Sequence, residues 1–263
     1  MVVLGNLETQ LLAYVQMRGR QVLRSDEVTA ALGISAAQAR ELLSRLARRQ
    51  LIVRVRRGLY LFPNRIPPGG RWSPGEYLAL ATLMEDRQAT YQICGPAAFH
   101  RYGWDEQVPQ RLDVYNTAIS GGRQIGAASF LLIKVAADRL GDTEVVRTPD
   151  GVDAVYSSRP RSLVDAVYDW SRFGSLPRAY HWIRLELKMD PRLASRIVKV
   201  AIKYGNTGTI RRLGRLLEDE GVSERQLKKL EAELPPTTAF IPWCPTRAKQ
   251  GSLDQRWGVV MNA

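Results

Sequence analysis

The chain has 263 residues, of which 45% are hydrophobic, with a formal net charge of +12 and a pI near 10.0. This length is sufficient for two domains with separate cores. No apolar run approaches the roughly 20 residues that span a bilayer, and the first ten residues lack the pattern of a signal peptide. With two cysteines and two histidines far apart in sequence, we expect a reduced, cytoplasmic protein with no metal site and no cofactor.

The positive charge is concentrated at the N-terminus. Residues 1–65 contain eleven arginines, no lysine and four acidic residues, whereas residues 66–187 have a net charge of −1. A basic segment of this kind indicates a polyanionic partner, most simply nucleic acid. Arginine in place of lysine favours bidentate contacts with phosphates and guanine.

The first elements follow the order of a winged helix-turn-helix. An apolar stripe predicts a helix over residues 4–18, and a second helix over 26–32 ends at Gly33, which allows a sharp turn. Ser35 then caps a third helix, in which Ala39, Leu42, Leu43 and Leu46 recur with helical spacing. Two strand-like runs follow, at residues 51–55 and 59–62, joined by a basic turn that contains Gly58.

The third helix and the hairpin predict a double-stranded DNA interface. Small and polar residues on the exposed side of the helix would enter the major groove, and the arginines of the helix and of the hairpin tip would reach phosphates. The predicted DNA-binding residues are Ser35, Ala37, Gln38, Arg40, Glu41, Ser44, Arg45, Arg48, Arg49, Arg54, Arg56 and Arg57. The alternative is a winged helix used for protein contacts, with its arginines merely solvated.

A segment rich in proline and glycine, residues 63–70, predicts a boundary between a DNA-binding domain at residues 1–65 and a second domain at residues 71–263. In the second domain, strand-like runs near residues 90–93, 111–116, 129–135, 144–148 and 152–156 predict a small sheet, antiparallel or mixed, with a hairpin turn at Asp150-Gly151. From Arg161 onward the pattern is helical. The apolar end of the chain, residues 240–263, is expected to fold back as a strand or extended arm. The fold class is therefore α+β, with an N-terminal winged helix-turn-helix followed by a mixed α/β domain that has a helical end.

One later helix carries a row of basic residues. Arg192, Arg196, Lys199 and Lys203 are spaced to lie on one helical side, opposite apolar residues. Like charges in a row repel each other, which suggests a functional surface. The alternative is an ordinary solvated helix face.

No sequence signature of a common enzyme class is present, including the phosphate-binding loop, the dinucleotide-binding glycine motif, the HExxH metal motif and the GxSxG nucleophile motif. No serine, cysteine or histidine has the neighbours that nucleophilic or acid–base catalysis needs. We therefore assign no catalytic residue and expect a binding protein.

Five segments together resemble the AbiEi family, the antitoxins and transcriptional repressors of bacterial type IV toxin-antitoxin systems. In order, they are the basic winged helix ending in RRGLYLF, then CGPAAFHRYGW, SSRPRSLVDAVYDWSRFGSLPRAYHWI, KYGNTGTIRRLGRLLEDEGV and DQRWGVVMNA. The similarity is one of pattern and order across nearly the whole chain. In one departure, Gln50 stands where a glycine would be expected to end the recognition helix.

The resemblance implies a repressor that binds inverted repeats in the operator of its own operon, with contacts on residues 35–49 and on Arg54, Arg56 and Arg57. It also implies a C-terminal domain that counters a cognate nucleotidyltransferase-like toxin without forming a stable complex with it. One alternative is a ligand-responsive one-component regulator whose C-terminal domain binds a metabolite. A further alternative is a nucleic-acid enzyme with unrecognised catalytic residues.

Overall fold

The structure, a computed structural model, describes residues 4–262. The outermost ends of the two predicted domains, residues 1–3 and 263, lie outside the described residues. The chain forms two compact units. The first extends to Tyr91 and also includes Gln110–Ala137 and Val145–Ala154, and the second includes Gln92–Pro109, Asp138–Glu144 and the chain from Val155 onward.

The predicted winged helix-turn-helix is confirmed in the first unit. Its elements are α1 (Asn6–Met17), β1 (Val22–Arg24), α2 (Ser25–Leu32), α3 (Ala36–Arg48), β2 (Val53–Arg56) and β3 (Leu59–Leu61). The three strands form an antiparallel sheet in the order β1-β3-β2. Strand β1 was not anticipated because three residues are too few for a periodic pattern.

The core of this domain lies where the apolar periods predict it. Leu42, Leu43 and Leu46 of α3 are buried against Leu11 of α1 and Val28 of α2. The helices α2 and α3 meet at Gly33, whose φ of 62° is left-handed. Glycine adopts this conformation without the steric cost of a side chain, so the turn between the two helices stays short.

The recognition helix α3 ends in a Schellman motif at Gln50. The amide of Gln50 bonds to Ala47 O at 3.0 Å, and that of Leu51 bonds to Leu46 O at 3.0 Å. Gln50 has a φ of 58°, so it takes the conformation that a glycine usually provides. The missing glycine therefore does not alter the end of the helix.

We expect Gln50→Gly to raise the free energy of unfolding by about 0.5–1 kcal/mol, because it removes the steric cost of a left-handed non-glycine residue. Urea denaturation measures the change. Gln50→Val, which adds a branch at Cβ, should lower the stability instead. A glycine variant less stable than the parent would contradict this account of the helix end.

The remaining elements, in chain order, are α4 (Glu76–Asp86), β4 (Tyr91–Cys94), α5 (Pro96–Arg101), β5 (Leu112–Asn116), β6 (Gly121–Ile125), β7 (Ala128–Lys134), a 3-10 turn (Ala137–Arg139), β8 (Thr143–Arg147), β9 (Asp153–Ser157), α6 (Arg159–Tyr168), α7 (Trp170–Phe173), α8 (Arg178–Met189), α9 (Leu193–Tyr204), α10 (Thr207–Asp219), α11 (Glu224–Glu231), β10 (Ile241–Pro242), β11 (Ser252–Asp254) and β12 (Val259–Met261).

The first unit extends well beyond the winged helix. Helix α4 packs against β2, and Arg56 of β2 forms an ion pair with Asp86 at the end of α4. Strand β7 pairs in parallel with β5 and antiparallel with β6. The predicted boundary segment, residues 63–70, therefore lies inside this unit, because the proline-rich segment turns the chain without ending the contacts of the wing.

The second unit is mainly helical, with a parallel pairing of β4 and β9 at Ile93 and Tyr156. Helices α6 and α9 pack against each other, and α10 packs on both. The end of the chain forms a three-stranded sheet in the order β10-β12-β11. The predicted α+β fold, with mixed strand pairing and a helical end, is confirmed.

Candidate nucleic-acid interface

Two of the predicted DNA-binding residues cap the recognition helix. The amide of Gln38 donates to Ser35 Oγ at 3.2 Å, and the amide of Ser35 donates to Gln38 Oε1 at 2.9 Å. This reciprocal pair is a capping box, which satisfies two amides that have no partner within the helix. Ser35 and Gln38 therefore fix where α3 begins.

The exposed face of α3 carries the predicted mixture of small, polar and basic residues. Ala37, Arg40, Glu41, Ser44 and Arg48 are all exposed. Arg40 Nε donates to Ala36 O at 3.0 Å, which keeps its guanidinium near the start of the helix. Within residues 4–262, neither Arg40 nor Arg48 forms an ion pair. Both are available to an external anion.

Arg45 and Arg49 instead hold α1 against α3. Arg45 Nε lies 2.9 Å from Glu8 Oε1, and Arg49 Nη1 lies 2.8 Å from Glu8 Oε2. Burial alone would raise the pKa of Glu8, but the amide of Gly5 and the two guanidinium groups hold that pKa below its usual range. These arginines were predicted to contact DNA, and their ion pairs give them a role in positioning the recognition helix.

Glu8→Gln is expected to lower the free energy of unfolding by about 2 kcal/mol at neutral pH. The loss stays this small because both arginines keep contact with water, which weakens their ion pairs with Glu8. Since the pKa of Glu8 is lowered by folding, its contribution is complete above its unfolded pKa and is lost as the pH falls through the folded value. As the pH is lowered below about 4.5, the free energy of unfolding should therefore decrease less for the variant than for the parent. Urea midpoints at pH 7, 5 and 3.5 test this, and parallel pH curves for the two proteins would contradict it.

The arginines of the wing also fall into two groups, one ion-paired and the other exposed. Arg56 Nε and Nη2 lie 2.5 and 2.6 Å from the two oxygens of Asp86, to which Arg24 also bonds at 3.0 Å. Hydrogen bonds from Arg56 hold the pKa of Asp86 below its usual value. Arg54 and Arg57 are exposed, and neither forms an ion pair within the described part of the chain. Arg56 therefore anchors the wing to α4, and Arg54 and Arg57 are the wing residues available to DNA.

A basic groove lies beside the recognition helix in the first unit. We define it by Ser44 and Arg48 of α3, Arg54 of β2, the segment 71–73 and the turn at Gly126-Ala127. Its volume is about 730 Å³. The lining residues include three arginines, Arg48, Arg54 and Arg71, and no acidic residue.

A second groove of similar size is lined by acidic as well as basic residues. It lies along Arg20, Arg24, Glu27, Glu85 and Asp86, with a volume of about 740 Å³. Arg20 pairs with Glu27 at 2.6 Å and Arg24 with Asp86 at 3.0 Å. Its positive charge is compensated, so the basic groove is the better place for a polyanion.

Arg71 and Trp72 of the basic groove were missed by the sequence analysis. They follow the glycine pair at residues 69–70, within the segment treated as the start of a separate domain. The sequence did contain a signal for them, an arginine next to a tryptophan after a glycine turn. Basic and aromatic side chains together are common in nucleic-acid interfaces. The sequence could not show that this segment packs next to the end of α3, where the amide of Trp72 bonds to Gln50 O.

The basic row predicted in the second domain lies on and just before α9. Arg192, Arg196, Lys199 and Lys203 are all exposed, and no ion pair of theirs occurs among the described residues. Three of them line a shallow depression of about 430 Å³ that also includes Asp142. The row is an accessible positive surface of the second unit.

The same residues also bear on two other kinds of site, metal centres and membrane spans. Residues 4–262 contain no group of three histidine, cysteine or acidic side chains that could hold a metal ion. None of their helices is long and apolar enough to cross a membrane. His100, the histidine on α5, lies 3.0 Å from the backbone oxygen of Asp105 through its Nδ1.

Comparisons with known proteins identify the N-terminal segment. Residues 10–63 match the family described as "Transcriptional regulator, AbiEi antitoxin", which confirms the predicted resemblance for the winged helix. The crystal structure of the RV2827C protein from Mycobacterium tuberculosis is similar over 98% of this chain and 92% of that one, with a TM-score of 0.61 and 16% identity. At this identity the likeness supports the fold alone. No curated protein matches the chain.

Proposed function

From a chain whose residues 10–63 form an AbiEi-type transcriptional regulator and antitoxin domain, we propose a sequence-specific DNA-binding repressor that is also the antitoxin of a type IV toxin-antitoxin system. It acts in the cytoplasm on an inverted-repeat operator of its own operon. It counters a cognate nucleotidyltransferase-like toxin without forming a stable complex with it. We propose that it performs these roles by binding, with no catalytic residue, metal or cofactor.

The observation that carries the proposal is a set of exposed arginines on the recognition helix and wing that form no ion pair with any residue from 4 to 262. They are Arg40, Arg48, Arg54 and Arg57. An arginine whose only role is to keep the surface hydrated can form an ion pair with a neighbouring acidic residue. Arg45, Arg49 and Arg56 form such pairs here. Arginines left uncompensated beside a helix of major-groove type suit phosphate and base contacts.

A mobility-shift titration with DNA from upstream of the gene, at two salt concentrations and against a scrambled competitor, tests the repressor role. We expect tight binding that resists the competitor and weakens steeply with salt. Binding that the scrambled duplex competes away equally would contradict a sequence-specific repressor.

The antitoxin role requires a different experiment. We propose that Arg192, Arg196, Lys199 and Lys203 form the C-terminal functional surface, which the second unit uses against the toxin. Alanine at all four should abolish rescue of growth when the neighbouring toxin gene is co-expressed. The matched control is alanine at Lys228 and Lys229, which are exposed on α11 and should be replaceable. Full rescue by the fourfold variant would remove this surface from the proposal.

A further inference from the structure

We infer that the basic groove beside α3 holds a phosphate backbone of the operator duplex, and that Arg71 is a phosphate-binding residue. The inference rests on the proposed function and extends its interface past the segment 10–63 that matches the family. It adds residues from the chain after the wing and from the β6–β7 turn to the recognition helix and wing.

The charged residues that line the groove are all positive. Arg48, Arg54 and Arg71 line one concave surface with no acidic residue among its lining residues. Arg71 is exposed and has no ion pair within residues 4–262. A cleft lined by charges of one sign focuses the potential and attracts counter-ions, so the most favourable occupant is a chain of negative charges.

Hydrogen bonds hold the groove in shape before any DNA binds. The amide of Trp72 donates to Gln50 O at 2.8 Å, which attaches the segment 71–73 to the end of α3. On the other side, the amide of Ala127 donates to Ser73 Oγ at 2.8 Å. A Cβ at Gly126 would lie 2.4 Å from Ser73 Oγ, so the close approach of this turn requires a glycine. Little ordering would therefore be needed when DNA binds.

The groove is continuous with the proposed DNA interface. Ser44 and Arg48, on the exposed face of α3, line the groove together with Arg54 of the wing. A helix in the major groove has a phosphate backbone on each side of it. The groove is lined by both the helix and the wing, so we place one of these backbones in it, where Arg71 also lines the groove.

Arg71→Ala provides the first test, with Arg65→Ala as its matched control. Arg65 is an exposed arginine of the same connecting segment that does not line the groove. Arg71→Ala should lower the affinity for operator and scrambled duplexes alike, by about fivefold to tenfold, and should reduce the salt slope by about 1. The Arg65 control should retain the parental affinity and slope.

A second pair of variants adds negative charge. Ala127→Asp places a carboxylate at the groove, whereas Ala136→Asp places the same charge on an exposed residue that does not line it. We expect the first to weaken DNA binding by about tenfold and the second to have no effect. Phosphate ethylation interference on the Arg71→Ala complex should also lose one site that the parental complex has.

The outcomes distinguish a failure of the proposed function from a failure of the groove inference. If the parental protein binds no DNA, both the proposed function and the groove inference fail. If the parental protein binds its operator and Arg71→Ala and Ala127→Asp bind equally well, only the groove inference fails. Equal losses in the groove variants and their controls would also overturn it, because the effect would then come from net charge.

Discussion

Alanine at Arg40, Arg48, Arg54 and Arg57 together is expected to lower operator affinity on the order of 10³-fold and to reduce the salt slope by about 4. Each of these arginines is exposed. None of them holds a carboxylate of the described chain. Their removal should therefore cost contacts with DNA while the free energy of unfolding stays nearly unchanged. Mobility shifts at several salt concentrations measure the affinity and slope, and urea denaturation measures the stability.

The ion-paired arginines provide the contrasting set. Arg45→Ala with Arg49→Ala leaves the buried carboxylate of Glu8 without its guanidinium partners, and Arg56→Ala removes the bidentate partner of Asp86. A buried charge without a partner is strongly destabilising. These variants should lose stability first, and their DNA affinity should fall only as α3 or the wing is displaced. If the Arg45, Arg49 double variant is stable but binds DNA much more weakly, both residues contact DNA after all.

The division between free and ion-paired arginines could not be predicted from the sequence. On α3, all the arginines lie outside the apolar stripe, and helical spacing alone makes them equivalent. Their difference depends on Glu8, which lies 37 and 41 residues before Arg45 and Arg49. The partner of Arg56 is 30 residues away. Pairings over such distances are set by how helices and strands pack, whereas local periodicity predicts only the elements themselves.

The elements with a strong local signal were predicted well. Ser35 and the apolar period define α3, and Gly58 lies between the two strands of the wing. Strand β6 is absent from the predicted strands because a glycine pair such as residues 121–122 is typical of a turn. It pairs antiparallel with β7 through both glycines, and four of its five residues are exposed. A strand paired on one side needs little apolar surface, so its sequence resembles a loop.

Gly214→Val is expected to lower the free energy of unfolding of the second unit by about 3 kcal/mol or more. Gly214 lies within α10, where glycine normally costs helix stability, so its presence requires a packing reason. A Cβ at this position would lie 2.2 Å from Trp257 Cε3 and Cζ3. Such an approach is possible only if the ring or the helix moves, and overpacking of this kind is destabilising.

The Trp257 ring has little freedom to move away. It is 1% exposed, and its Nε1 donates to Glu218 Oε2 at 2.8 Å. The neighbouring Arg256 bonds to three glutamates, Glu218, Glu224 and Glu231. These contacts fix the end of the chain on α10 and α11, so a side chain at Gly214 must displace α10 or break the attachment.

A double-mutant cycle identifies the cause. Trp257→Leu alone should destabilise the protein through lost packing, but it makes room beside position 214. Gly214→Val should then cost at least about 1 kcal/mol less in the Trp257→Leu background than in the parent. Urea denaturation of the four proteins gives this coupling energy. An equal cost in both backgrounds would mean that the glycine is required for another reason. A Gly214→Val protein that still rescued growth in the co-expression assay would show that the proposed antitoxin role does not depend on this packing.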